Sequence, residues 1–122
     1  MKSPHKHPAG LTHVFHASLN AWRGLRAAWQ HEDAFRQEVF VAAIAIPVAL
    51  LSPADKIGKI LMISSILLVL ILELANSAIE AAVDHTSLDE HPFAQRAKDI
   101  AGSAVLMSII NAVVVWCLVL FA

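Results

Sequence analysis

Two long apolar runs constrain this chain more than any other feature of its sequence. They occupy residues 60–72 (ILMISSILLVLIL) and 100–122 (IAGSAVLMSIINAVVVWCLVLFA), and neither contains a charged residue. A helix needs about 20 residues to cross a hydrocarbon core of ~30 Å; the second run has that length, and the first reaches it when helix formers extend it to residue 83. Since 57% of the 122 residues are hydrophobic and only 16% are charged, we predict a single integral-membrane domain.

A third apolar segment, VFVAAIAIPVALL at 39–51, is too short to span a membrane alone and contains Pro47. It becomes a spanning helix over about 34–51 if the preceding AFRQE forms its first turn at the level of the lipid head groups. In that position the charged ends of Arg36 and Glu38 can reach water while their stems lie against apolar surface. The sequence therefore predicts three spans, at about 34–51, 60–83 and 100–122.

A different kind of helix is predicted ahead of these spans, at about residues 11–30. Its large apolar side chains recur at intervals of three and four residues, which places them on one face of a helix. A soluble helical bundle would show the same pattern, but three apolar spans follow, so we expect this helix to lie on the membrane surface. The apolar face consists of Leu11, Val14, Phe15, Leu19, Trp22, Leu25 and Trp29.

The distribution of lysine and arginine predicts the orientation of the spans. If the N-terminus is cytoplasmic, seven of the nine basic residues lie on the cytoplasmic side, and only Lys56 and Lys59 lie outside. Cytoplasmic segments are enriched in these residues, so we predict a cytoplasmic N-terminus and a periplasmic C-terminus. No basic stripe with interleaved aromatic residues occurs in the sequence, and we predict no nucleic-acid partner.

The polar end of the second span, ELANSAIEAAVD at 73–84, is the strongest functional signal. Glu73, Asn76, Glu80 and Asp84 are three or four residues apart and share one helix face with Ser77. A carboxylate buried near lipid costs on the order of several kcal/mol unless it is paired or protonated. This stripe is therefore a candidate for Mg²⁺ binding or for a general base, and the alternative is a solvated helix end with ordinary surface acids.

Other polar residues are predicted on the same side of the membrane. Glu32 and Glu38 precede or begin the first span, and Lys98 and Asp99 precede the third. All three spans thus bring charged groups to the cytoplasmic interface, where an active site acting on a lipid would lie.

Three motifs resemble the small prokaryotic diacylglycerol kinases: GLRAAWQHEDAFRQE at 24–38, ELANSAIEAAVD at 73–84 and RAKDIAGSAV at 96–105. The resemblance covers roughly residues 11–121. It implies an all-α membrane protein, with an N-terminal amphipathic surface helix and three transmembrane helices, assembled as a homotrimer in the inner membrane. The implied reaction transfers the γ-phosphate of MgATP to diacylglycerol and gives phosphatidic acid, in support of lipid recycling.

The resemblance also implies roles for individual residues. Glu73 matches the catalytic base, and Glu32 and Glu80 match the carboxylates that bind Mg²⁺. The positions that match nucleotide-binding residues are His13, Asn20, Glu32, Asn76, Glu80, Asp89, Glu90, His91, Lys98 and Asp99. Those that match lipid-substrate contacts are Ala17, Ser18, Trp22, Arg26, Trp29, Ala34, Arg36, Glu38, Glu73, Gly102 and Trp116.

Three alternatives remain open from the sequence. An undecaprenol kinase would keep the mechanism and change the lipid. A small multidrug transporter also carries a glutamate within a span, although such proteins usually have four spans and one intramembrane acid. A non-catalytic membrane scaffold would leave the buried carboxylates without a purpose.

Overall fold

The chain is all-α. The computed structural model describes residues 10–86 and 91–122, and in that part of the chain three of the helices are long and apolar enough to cross a membrane. The predicted helical class is confirmed and residues 11–30 do form a helix, while the bounds of the three spans stay predictions. The elements are α1 (Leu11–His31), α2 (Asp33–Leu51), α3 (Lys56–Thr86) and α4 (Pro92–Phe121), of which α2, α3 and α4 are the three long apolar helices.

A single residue separates α1 from α2. Glu32 has an extended backbone (φ −116°, ψ 106°), which ends α1 and lets α2 start in a new direction at Asp33. An aspartate in the first turn is favourable because the N-terminal end of a helix carries partial positive charge. The AFRQE segment therefore forms the beginning of α2, as expected, and Pro47 is accommodated inside the helix.

Helices α3 and α4 extend beyond their apolar segments. Helix α3 has 31 residues and begins where the Asp55 carboxylate accepts a hydrogen bond from the Gly58 N–H at 2.8 Å. Helix α4 begins at Pro92, and the His91 side chain caps it by accepting from the Phe93 N–H through Nδ1 at 3.1 Å. Hydropathy marks the part of a helix that suits lipid, whereas these helices continue into their polar flanks.

Helix α3 is the centre of the protomer. Helices α2 and α4 both pack against it, but among the described residues they do not approach each other within 8 Å between Cα atoms. Small residues allow close packing at the α3–α4 contact: a Cβ added to Gly58 would lie 2.9 Å from Val119 Cγ1. The buried residues of α3 are Gly58, Met62, Ser65, Val69, Glu73 and Ser77, and those of α4 are Ala101, Val105, Ser108 and Ala112.

Most large apolar side chains of the described residues point away from the body of the chain. Leu51 is 87% exposed and Phe121 83%, and the apolar face of α1 is also uncovered, with Phe15 at 62%. Apolar patches this extensive mark surfaces that contact a membrane or another protein chain. The position of α1 on the membrane surface stays a prediction.

Candidate active site among four carboxylates

The polar stripe of α3 lies on the face that packs within the protomer. Glu73 follows Val69 by four residues and Ser77 follows Glu73 by four, so the buried side of α3 continues from apolar to polar residues. Glu73 is only 5% exposed and Ser77 8%. Exposure increases toward the end of the helix, where Glu80 is partly buried and Asp84 is exposed. The alternative of a solvated helix end with surface acids therefore applies to Asp84 but not to Glu73.

Three further carboxylates lie within electrostatic range of Glu73. The charges of Glu80 and Glu32 lie close enough to repel that of Glu73, and Glu73 in turn repels Glu38. These four acids come from α2, α3 and the residue between α1 and α2, so the fold brings together groups that are up to 48 positions apart in the sequence (80 − 32). Like charges around a buried carboxylate are unfavourable without a cation or protons to compensate them, and the cluster is therefore suited to receive one or the other.

Hydrogen-bonding capacity around the cluster is left unused. Asn76 donates through Nδ2 to Glu80 Oε1 at 3.3 Å, but its Oδ1 has no partner within the described residues. The buried Glu38 Oε2 and Ser77 Oγ are likewise without a partner there. Leaving a buried polar group unsatisfied costs about 1–3 kcal/mol, so these atoms are available to a ligand.

The acids suit a metal ion that arrives with a phosphate. In residues 10–86 and 91–122, no three His, Cys, Asp or Glu side chains are arranged to hold a metal by themselves. Mg²⁺ typically takes only one or two protein carboxylates and completes its shell with waters and substrate phosphates. Glu32, Glu80 and the free Asn76 oxygen fit that pattern, and the assignment of Mg²⁺ to Glu32 and Glu80 stays a prediction.

Helix α4 brings a cation to the far end of the stripe. Lys98 Nζ lies 2.9 Å from Asp84 Oδ1, and Asp99 accepts a hydrogen bond from Gln95 Nε2 at 2.9 Å. The Lys98 charge also interacts with those of Glu80 and Asp99. The structure therefore brings Lys98, Asp99 and Glu80 into one neighbourhood, as their predicted nucleotide role requires.

An apolar groove leads to the cluster between α2 and α4, where the two helices do not meet. A cavity of about 300 Å³ is lined by Glu38 and Val69 and shares Ile66, Ala112 and Val113 with a second cavity of about 280 Å³. Val69 precedes Glu73 by one helical turn, so the groove reaches Glu38 and its wall on α3 stops one turn before Glu73.

Trp116 lines the far part of this groove. Its indole Nε1 donates to the backbone carbonyl of Met62 at 3.1 Å, which joins α4 to α3. Gly102 lies on α4 near the polar end and is partly buried. Trp116 and Glu38, both predicted lipid contacts, thus line two cavities that share three residues.

The other predicted lipid contacts lie along α1 and at the start of α2. Ala17, Ser18, Trp22, Arg26, Trp29 and Ala34 are exposed. The Ser18 hydroxyl donates to Val14 O at 2.9 Å, and the Trp29 ring lies 6.0 Å from the Phe40 ring of α2. A cleft of about 700 Å³ separates α1 from α3, with Gly24, Glu32 and Ser77 in its wall.

Several predicted nucleotide contacts are not gathered at the cluster. At 1.5 Å per residue, His13 lies about 28 Å and Asn20 about 18 Å from Glu32 along α1. The His91 imidazole caps α4 through Nδ1 and stacks on the Phe93 ring with centroids 5.4 Å apart. Asp89 and Glu90 lie outside the described residues. The nucleotide roles of these residues stay predictions.

For two residues the structure shows burial or contacts that the sequence does not predict. The sequence puts Ser77 on the stripe without a role, and the structure buries its hydroxyl with no partner in the described part of the chain. Its spacing of four from Glu73 was the available signal. Arg36 donates to backbone carbonyls at the end of α1, a contact that no local pattern reveals, and its lipid contact stays a prediction.

Comparisons with known proteins agree with the motifs. The family model described as prokaryotic diacylglycerol kinase matches residues 19–120. The diacylglycerol kinase of Escherichia coli K12 is 45% identical over 113 residues, which is 93% of each chain. Those of Haemophilus influenzae and Pseudomonas aeruginosa are 42% and 41% identical, covering 92% and 97% of this chain and 95% and 96% of their own. The matched region contains all four carboxylates, and the three long apolar helices within it make this a multi-pass membrane protein.

Proposed function

This chain belongs to the prokaryotic diacylglycerol kinase family, and we propose that it transfers the γ-phosphate of ATP to the free hydroxyl of diacylglycerol, which releases phosphatidic acid and ADP. Its relatives carry the name diacylglycerol kinase, which supports the lipid substrate. The nucleotide, the product and the membrane face belong to the proposal.

The observation that carries the proposal is the apolar groove that ends at Glu38, one helical turn from Glu73 on α3. Acyl chains have the chemistry of the groove between α2 and α4, whose wall is apolar except at Glu38. A lipid bound there with its chains along Ile66 and Val69 presents its head group to Glu73, one helical turn further along α3. A soluble alcohol would need no such groove.

Three of the four acids then have a task in the reaction. The Glu73 carboxylate takes the proton of the lipid hydroxyl while that oxygen bonds to the γ-phosphorus and the bond to the β-phosphate oxygen breaks. Glu80 lies two turns along α3, about 10 Å away, where it and Glu32 would hold Mg²⁺. A bound Mg²⁺ would neutralise part of the phosphate charge. Lys98 adds a positive charge on the side of the phosphates.

Helix length supports the depth of the site. Glu73 lies about 26 Å along α3 from Lys56, and the hydrocarbon core is ~30 Å thick. If Lys56 marks one edge of that core, Glu73 lies near the opposite edge, where the hydroxyl of a diacylglycerol resides. The lysine and arginine distribution supports the proposal that this edge is the cytoplasmic face of the inner membrane, with the N-terminus inside and the C-terminus outside.

We also propose that the protein acts as a homotrimer. The outer faces of α2, α3 and α4 are largely uncovered in one protomer. Moreover, about 28 Å of α1 separates His13 from Glu32, so a nucleotide held at Glu32 contacts His13 more readily if that residue belongs to a second protomer. A neighbouring protomer would thus complete each site.

The decisive experiment measures phosphate transfer in mixed micelles. The purified protein would receive ATP, Mg²⁺ and either diacylglycerol or undecaprenol, with Glu73→Gln as the inactive control. We expect Mg²⁺-dependent phosphorylation of diacylglycerol that the substitution abolishes. Preference for undecaprenol would overturn the substrate and keep the mechanism, and transfer to neither lipid would overturn the proposal.

A further inference from the structure

At the corner between α1 and α2, the last carbonyls of α1 have no backbone partner among the described residues. The last backbone hydrogen bond of α1 runs from the Glu32 N–H to Ala28 O at 2.9 Å. The carbonyls of Trp29 and Gln30 lie beyond it, at the end of the helix where partial negative charge accumulates. A cation is favoured there.

Arg36 supplies this cation from the first turns of α2. Its Nη1 donates to Trp29 O at 2.6 Å and to Gln30 O at 3.2 Å, and its Nη2 pairs with the Asp33 carboxylate. The rigid planar guanidinium holds the end of α1 and the start of α2 in one arrangement. Lysine, with a single ammonium group, cannot reproduce this geometry.

The corner determines where the Glu32 carboxylate lies. Glu32 is the only residue between the helices, and its side chain caps neither of them. Its carboxylate is instead part of the wall of the cleft between α1 and α3, within range of the charge of Glu73. Because α1 makes few contacts with α3, the angle between α1 and α2 decides how close Glu32 comes to the acids of α3.

We propose that Arg36 is a positioning residue, which fixes the angle between α1 and α2 and thereby holds Glu32 at the phosphate-binding side of the site. This assignment replaces direct contact with the lipid, which the family resemblance implies for Arg36. It rests on the proposed function only for the claim that Glu32 serves the Mg²⁺-bound nucleotide.

Kinetics distinguish the two roles. For Arg36→Gln we expect the KM for MgATP to rise about tenfold, at the low end of the cost of losing an outer-shell partner, with the KM for diacylglycerol unchanged. Asp33→Asn is the matched control, because it removes the ion pair and leaves both carbonyl bonds; it should change neither constant. Arg36→Lys should lie between the parent protein and Arg36→Gln.

A distance measurement tests the geometry without activity. Spin labels at Arg23→Cys on α1 and His85→Cys on α3, in a Cys117→Ala background, would be read by pulsed electron–electron double resonance. Labelled chains would be diluted with unlabelled ones so that distances within one chain dominate. We expect a narrow distribution for the parent protein and for Asp33→Asn, and a broader one for Arg36→Gln.

Two results would overturn the inference. One is a rise in the KM for diacylglycerol with that for MgATP unchanged, which would make Arg36 a lipid contact. The other is an unchanged distance distribution in Arg36→Gln. If the parent protein phosphorylates no diacylglycerol, the proposed function fails, while the distance measurement still decides the role of Arg36 in the corner.

Discussion

The two halves of α3 treat their buried polar groups in opposite ways. In the first half, Ser65 donates to Met62 O at 2.7 Å, and the same carbonyl accepts from the Trp116 indole at 3.1 Å. In the second half, Asn76 Oδ1 and Ser77 Oγ are buried without partners in the described structure, close to a carboxylate that is 5% exposed. Both halves belong to one helix and one packing face.

This difference separates a scaffold from a site. Buried polar groups in proteins are nearly always hydrogen-bonded, so a concentration of unpaired ones needs a reason. The first half of α3 meets that rule with its own neighbours and holds α4 in place. In the second half, the polar groups remain able to bind a ligand, and leaving them unpaired lowers the stability of the fold. Substitutions in the two halves should therefore affect different properties.

Glu73→Gln should give the largest effect, because it removes the group that takes the proton. A general base contributes about 10²–10⁴-fold, and we expect turnover to fall by roughly 10³-fold or more. The thermal midpoint should not fall, since glutamine keeps the volume and removes a buried charge. Initial rates and a melting curve on the same sample check this, and near-normal turnover would exclude Glu73 as the base.

Glu80→Gln should have the second-largest effect, with activity lower by about 10²-fold at ordinary Mg²⁺ concentration, since a metal ion supplies several kcal/mol of transition-state stabilisation. Raising the Mg²⁺ concentration should restore part of the lost activity. Asp84→Asn is the control one helical turn away, and its exposed carboxylate should matter little. A titration of activity with Mg²⁺ distinguishes them, and equal curves for both variants would remove Glu80 from the metal site.

Gly58→Leu should affect stability alone. Even a Cβ at this position would lie 2.9 Å from Val119 Cγ1, and overpacking typically costs about 1–3 kcal/mol. Ile57→Leu, at an exposed neighbouring position, is the control. Thermal inactivation should be faster for Gly58→Leu while the KM values of the remaining active protein stay unchanged. An altered KM with normal stability would contradict the assignment of this half as scaffold.

Trp116→Phe should have the smallest effect. It removes the hydrogen bond to Met62 O and keeps an aromatic ring in the groove, and such bonds within membranes average about 0.6 kcal/mol. We expect a slightly lower unfolding free energy, measured by denaturation in mixed micelles, and an unchanged KM for diacylglycerol. A large rise in that KM would mean that the indole N–H serves the lipid rather than the fold.

The sequence predicts the helices well because hydropathy and periodicity are local properties. It identifies α2 although the apolar part is short, since Arg36 and Glu38 can begin a span from the head-group level. Helices α3 and α4 begin at Lys56 and Pro92, ahead of the spans predicted from residues 60 and 100, because their polar flanks are helical although hydropathy does not assign them to a span. The cap that His91 gives to α4 depends on side-chain geometry that no composition reveals.

The site is predictable to the extent that it lies on one helix. The spacing of Glu73, Asn76 and Glu80 gives a common face directly. That Glu32 and Glu38 converge on Glu73 could be expected only as a shared side of the membrane, because their approach depends on the α1–α2 corner. The contacts of Arg36 and Trp116 cross between helices, and sequence spacing carries no information about them.

The length of α3 makes the enzyme sensitive to the thickness of the bilayer. Its 31 residues measure about 46 Å, whereas the hydrocarbon core is ~30 Å thick, so the helix extends several turns beyond the core. Membranes differ in thickness by a few Å, and a long helix adjusts by tilting. In a thicker bilayer Glu73 would lie inside the hydrocarbon core, short of the lipid hydroxyl. In a thinner bilayer it would lie in water, beyond that hydroxyl. The same protein should therefore turn over its lipid fastest in bilayers whose thickness matches the distance from Lys56 to Glu73.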